Sequence, residues 1–135
     1  MAREADELYG DGTARRPAPA DPEEEGQLSY FVVIREAGPG WTDGKGAFGQ
    51  PGVDEHAAFM NALADEGVVL FAGPVGGSEE GRMRVLLISK ADSAAVVHER
   101  LAADPWAQTQ RLVTTSVEPW NLFVGAERFS AAQVT

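Results

Sequence analysis

The stretch from Asp54 to Pro74, DEHAAFMNALADEGVVLFAGP, constrains the chain more than any other: it reads as a helix, its stop, a strand and a turn. At about 100° per residue, Phe59, Met60 and Leu63 fall on the same side of the helix as His56, while Asn61 and Asp65 fall opposite. The histidine therefore sits at the centre of the apolar stripe, close to the helix start. Gly67 is placed just past the helix end, where a left-handed conformation carries no Cβ penalty. Val68 to Ala72 is a continuous apolar run of strand length, closed by Gly73-Pro74. A histidine aimed inward over the edge of a sheet is the feature that most needs a reason.

Upstream, Ser29 to Arg35 (SYFVVIR) reads as a strand, with Tyr30, Val32 and Ile34 on one side and Phe31 and Val33 on the other. Glu36 to Val53 carries six glycines and two prolines, with Trp41 and Phe48 as its only large aromatics. A connection of that length is either a lid over a pocket or an ordered surface loop held by two anchors. Downstream, Gly76 to Gly81 reads as a hairpin loop. It has no Lys-Ser/Thr and opens no helix, so it is not a phosphate cradle. Met83 to Lys90 is a third strand. Asp92 or Ser93 caps a second helix with Ala94, Val97 and Leu101 inward and His98 toward its margin. Asp104-Pro105-Trp106 opens a short turn or helix, and a fourth strand covers about Val113 to Glu118. Trp120 to Val124 is apolar enough to pack back or to add an edge strand.

The order is β-α-β-β-α-β, an α+β, ferredoxin-like arrangement. The first three strands are apolar on both faces, and two helices cover only one face of a four-stranded sheet. The economical cover for the other is a second copy of the chain, giving a homodimer and a dimeric α/β barrel. The folded domain spans residues 28–124. Residues 1–27 hold eight acidic side chains, three arginines and three prolines, with few large apolar residues, and so are expected to be a disordered acidic tail. Residues 125–135 are expected to be a C-terminal tail.

Charge and composition narrow the function. A net charge of −10 disfavours nucleic acid and anionic membrane surfaces as partners. The chain has no cysteine, so neither disulfide nor thiolate chemistry is available. Two histidines without ligand spacing give no dedicated metal site, and no Gly-x-Ser-x-Gly elbow supports serine hydrolysis. Neither a signal-peptide core nor an apolar run of membrane-spanning length is present, so a cytoplasmic protein is expected.

The inward His56 with Leu63 downstream, then Glu66-Gly67, Ala72-Gly73-Pro74, Asp104-Pro105-Trp106 and Glu118-Pro119-Trp120, together resemble the YCII-related (YciI-like) proteins over about residues 28–124. The acidic tail and the long Gly-rich loop depart from the short form of that family. The resemblance implies a ferredoxin-like fold, a dimeric α/β barrel and a His-Asp pair as active site, which maps onto His56 and Asp104. It also implies cofactor-independent, lyase-type chemistry of the dehydrochlorinase kind on a small molecule. Trp41, Phe48, Gly73, Pro74 and Trp106 are the candidate substrate-binding residues.

Each member of the pair has an ordinary structural explanation. Buried histidines are often hydrogen-bonded core residues, and Asp before Pro is an N-cap followed by proline at the first helical position. Asn caps about as well as Asp, so Asp104→Asn is expected to keep the fold on either reading. Together the two have chemistry to offer. A histidine ordinarily titrates near ~6.5, and a carboxylate beside it fixes the tautomer and stabilises the imidazolium. Arg35, Arg82 and Arg84 could attract an anionic substrate, but are read first as solvated strand-end charges, and the tryptophans as core or cavity lining. A non-catalytic binding or accessory module and a cofactor-free dimeric-barrel oxygenase remain alternatives to the lyase. Because residues 1–26 bring no core material, a chain starting at Gln27 is expected to melt within a few degrees of the full-length protein by calorimetry.

Overall fold

The computed structural model describes residues 28–129; the expected tail over 1–27 and residues 130–135 lie outside the described residues. Four strands, β1 (Ser29–Ala37), β2 (Val69–Pro74), β3 (Arg84–Ala91) and β4 (Leu112–Pro119), form one sheet in the order β2-β3-β1-β4. Every pairing is antiparallel. Helices α1 (Val53–Asp65) and α2 (Ala94–Ala102) complete the β-α-β-β-α-β order, and a one-turn α3 (Pro105–Gln108) precedes β4. The architecture is α+β and matches the ferredoxin-like arrangement. Among the described residues no helix is long and apolar enough to cross a membrane.

The local signals act where the sequence places them. Gly67 takes φ +83° just past the end of α1, and the Ser93 hydroxyl accepts from the Val96 N–H to cap α2. Asp104 caps α3, with Pro105 in its first turn. In β1 the burial alternates, so that Phe31, Val33 and Arg35 face the helices. The main core joins Phe31 and Val33 to Leu63 of α1, Val85 and Leu87 of β3, and Val97 and Leu101 of α2. A second cluster of Trp41, Ala47, Trp106 and Leu112 lies beneath the Gly-rich loop, with Ala37 packed against it. Arg35 thus sits on β1 between the residues of two apolar clusters.

The loop between β1 and α1 is tied down by one aromatic and one amide, not by two aromatics. Trp41 is buried, whereas Phe48 is 85% exposed in a short 3₁₀ turn (Ala47–Gly49). The second anchor is Gln50, whose buried side chain accepts from the Thr42 N–H and donates to the carbonyls of Thr42 and Lys45. Those three bonds satisfy turn backbone that a phenyl ring leaves unpaired. Gly38 and Gly40 donate to the carbonyls of Arg111 and Gln110, which fixes the loop against the segment entering β4.

Beyond β4 the Trp120 N–H donates to Tyr30, extending the ladder by one bond, and no fifth strand forms among the described residues. The expected C-terminal tail, residues 125–135, lies in part outside the described residues. Residues 126–129 make a helical turn, and the Phe129 ring packs on Tyr30, Phe71 and Trp120 over the face of the sheet away from the helices. Burial of that ring offsets the entropy of ordering the segment.

The loop contact is testable. A Cβ at Gly40 meets the Thr109 carbonyl oxygen at 2.2 Å, whereas one at Gly73 meets nothing within 4 Å. Gly40→Ala is expected to cost roughly 1–3 kcal/mol in urea unfolding, and Gly73→Ala less than about 0.5 kcal/mol.

Candidate active site

The site is built where β1, the first turn of α1 and the start of α3 meet. His56 occupies the fourth helical position of α1, and its backbone N–H closes the first helical bond to Gly52. Asp104 stands at the cap of α3 because Pro105 starts that helix and leaves the carboxylate facing its N-terminus. Arg35 comes from β1, on the same side as Phe31 and Val33.

One carboxylate joins these groups. Asp104 Oδ1 accepts from the Trp106 N–H at 2.9 Å, and Oδ2 accepts from Arg35 Nη1 at 2.9 Å. His56 Nδ1 lies 3.0 Å from Oδ1 and 2.9 Å from Oδ2. An ionised carboxylate only accepts, so neutral His56 is the tautomer with its proton on Nδ1. Nε2 is then left with a free lone pair. The imidazole lies flat on the Trp106 indole, with centroids 4.0 Å apart and planes 7° from parallel. Trp106 is in turn held by its Nε1–H, which donates to the Pro51 carbonyl, and by the edge of Trp41 at 5.6 Å.

The electrostatics favour an anionic Asp104. Its side chain is inaccessible to solvent, and that burial alone would push the carboxyl up. The His56 hydrogen bond and charge, the Trp106 N–H and the Arg35 guanidinium together outweigh it and hold the group below the ordinary carboxylate range. Burial lowers the Arg35 value, and Asp104 offsets part of that. A guanidinium stays charged even so.

Of the sequence-predicted residues, the structure brings together His56, Asp104, Trp106 and Trp41. It leaves out Phe48, which points to solvent because Gln50 took the anchoring role. Gly73 and Pro74 lie on the edge strand β2 and join no part of the hydrogen-bonded cluster. Pro74 shares the helix-side row with Val85 and Arg35, while Gly73 pairs with Leu86 in the opposite row. Trp120 stands apart, against Phe129. Arg35 is the member of this cluster that sequence reasoning placed first in solvent. It is 1% exposed, and the signal for it was its position two residues after Val33 on the inward side of β1. Arg82 and Arg84 are exposed, with Arg82 paired to Asp43. His98 is also exposed. Among the described residues no three His, Asp or Glu side chains are grouped to hold a metal ion.

Arg35 also overturns the expectation that Asp104→Asn keeps the fold intact. The cap survives, but the guanidinium is left buried without its counter-charge, and loss of one partner of a buried pair costs roughly 3–5 kcal/mol. Asp104→Asn is expected to lose about that much in denaturant unfolding, and the double variant Arg35→Met/Asp104→Asn to recover most of it. The pH dependence follows from the same pair. The folded carboxyl lies below its unfolded value of ~3.9, so its contribution is complete above that pH and is lost as pH falls through the folded value. Wild type and Asp104→Asn should therefore converge in stability on acidification.

No family model matches the chain, and no curated protein matches it. Among solved structures it is similar to 5-chloro-2-hydroxyhydroquinone dehydrochlorinase (TftG) from Burkholderia phenoliruptrix AC1100, in complex with 2,5-dihydroxybenzoquinone. The identity is 19%, over 73% of this chain and 97% of that one, with a TM-score of 0.46.

Proposed function

We propose that the chain is a YCII-related, cofactor-independent enzyme of the lyase type, in which His56 is the general base. The observation that carries this reading is the contact of His56 Nδ1 with the buried, ionised Asp104. With Nδ1 protonated and hydrogen-bonded, Nε2 is the nitrogen that takes a proton. In the reaction, Nε2 removes a proton from a carbon next to an activating carbonyl or aromatic centre. The C–H electron pair becomes the new double bond, and a leaving group such as chloride departs with its own bonding pair. The step is redox-neutral and needs no cofactor. Asp104 stabilises the imidazolium, and the indole of Trp106 fixes the ring plane. General-base help of this kind is worth ~10²–10⁴-fold in rate.

The second copy expected from the sequence belongs to the same proposal. On the face away from the helices, Phe71 is 51% and Leu86 39% exposed, with Val32 and Ile34 half-buried on the next strand, β1. Phe129 covers only the end near Tyr30 and Phe71. A homodimer formed through this face would bury the rest and make the dimeric α/β barrel.

Two measurements test this. Nitrogen-15 NMR of neutral His56 is expected to show the Nδ1–H tautomer, and chloride release from β-chlorocarbonyl compounds should vanish in His56→Asn. Binding of such compounds without turnover would leave a binding module, and oxygen uptake with a quinol would make the protein an oxygenase; either overturns the lyase reading. Sedimentation at micromolar concentration is expected to give a dimer, and a stable 14.4 kDa monomer would remove the barrel.

A further inference from the structure

The buried side-chain nitrogens and oxygens without a hydrogen-bond partner, among the described residues, are Arg35 Nε, Arg35 Nη2, Trp41 Nε1 and Arg111 Nε. All are N–H donors, and none is an acceptor. Two of them form one edge of a single guanidinium. Arg35 spends Nη1 on Asp104 and on a long contact to Met60 Sδ at 3.8 Å. Its Nε–Nη2 edge is left as an open two-donor fork on a side chain that is 1% exposed. A buried donor without a partner is costly, and more so when it is charged. A fork of this shape matches two oxygens, or one oxyanion, better than any other partner. Trp41, whose indole N–H is also unpaired, belongs to the same aromatic stack through Trp106.

We infer that the Nε–Nη2 edge of Arg35 binds an oxyanion of the substrate, a carboxylate or the phenolate or enolate oxygen of a small organic molecule. The inference rests on the His56 reading above and names its substrate class. Arg35 and His56 are both hydrogen-bonded to Oδ2 of Asp104, so an anion on the guanidinium is within a small molecule's reach of the imidazole. Charge points the same way. At rest Arg35 and Asp104 neutralise each other. Once Nε2 has taken a proton the cluster carries one net positive charge, which an anion at the fork balances. Donors aimed at the oxygen where charge develops act most strongly in such a water-poor site. Met60, one turn beyond His56 on α1, rests on Nη1 of the guanidinium. Its unbranched thioether has three rotatable bonds and can swing aside.

The test is binding, which is read independently of turnover. Benzoate and 4-nitrophenolate are titrated into the full-length protein while the Arg35 Nε–H resonance is followed by NMR, with benzamide as the neutral control. Both anions are expected to shift that resonance saturably and benzamide is not. Arg35→Lys keeps the charge but loses the fork, and should weaken benzoate at least tenfold. A shift from benzoate alone assigns a carboxylate, and one from nitrophenolate alone a phenolate or enolate. No shift from either anion, equal shifts with benzamide, or unchanged affinity in Arg35→Lys overturns the inference and leaves the fork to buried water. The wild-type titration decides even where Arg35→Lys does not fold. Anion binding without any turnover would sink the lyase reading and keep this one; turnover without an Arg35 response would do the reverse.

Discussion

The ion pair between Arg35 and Asp104 is the interaction on which the rest of the site depends. Neither side chain has meaningful access to water, and an isolated charge in such a place would cost far more than a domain of this size has to spare. Each is therefore tolerated only because the other is there. The pair stands between the main core and the tryptophan cluster, two apolar regions that Met83 also bridges.

Asp104 does three things with two oxygens. It caps α3 through Trp106, it neutralises Arg35, and it holds the imidazole of His56. Only a carboxylate serves all three, because it is a pure acceptor with room for several donors. A structural role and the proposed chemical one are therefore superimposed on the same atoms. A loss of activity in an Asp104 variant would not separate them, whereas the charge and the tautomer can be measured apart. When His56 carries a proton, Asp104 is shared between two cations.

Much of the fold was legible because its signals are local. Gly67 needs a left-handed conformation, Ser93 and Asp104 are caps, and Pro105 can only start a helix; each acts through its immediate neighbours. His56 was legible as an inward residue from the period of α1 alone, but its partner lies 48 residues away and is not encoded in any spacing. Arg35 was misread because charge was given more weight than position. The alternation Phe31, Val33, Arg35 placed it inward, and a buried arginine demands a buried carboxylate. Gln50 was missed because its partners are loop carbonyls and an N–H that no sequence pattern announces, and Phe48 was credited with its role. The turn with Phe129 was read as tail because one aromatic residue is a weak signal until the surface that receives it is known.

The sequence separation of the ion pair bears on how the chain assembles. Arg35 and Asp104 are 69 residues apart, so the counter-charge for β1 is among the later parts of the domain to leave a ribosome. Until it arrives, Arg35 must remain hydrated, and the β1–β3 pair has no stable way to close its helix-covered face around it. Such a distant contact repays its loop-closure entropy only at the end of folding. The hairpin of β2 and β3 and helix α1 can form early, but the ion pair between the two apolar clusters waits for Asp104. A growing chain is thus held open at the future site until nearly the whole domain has been made.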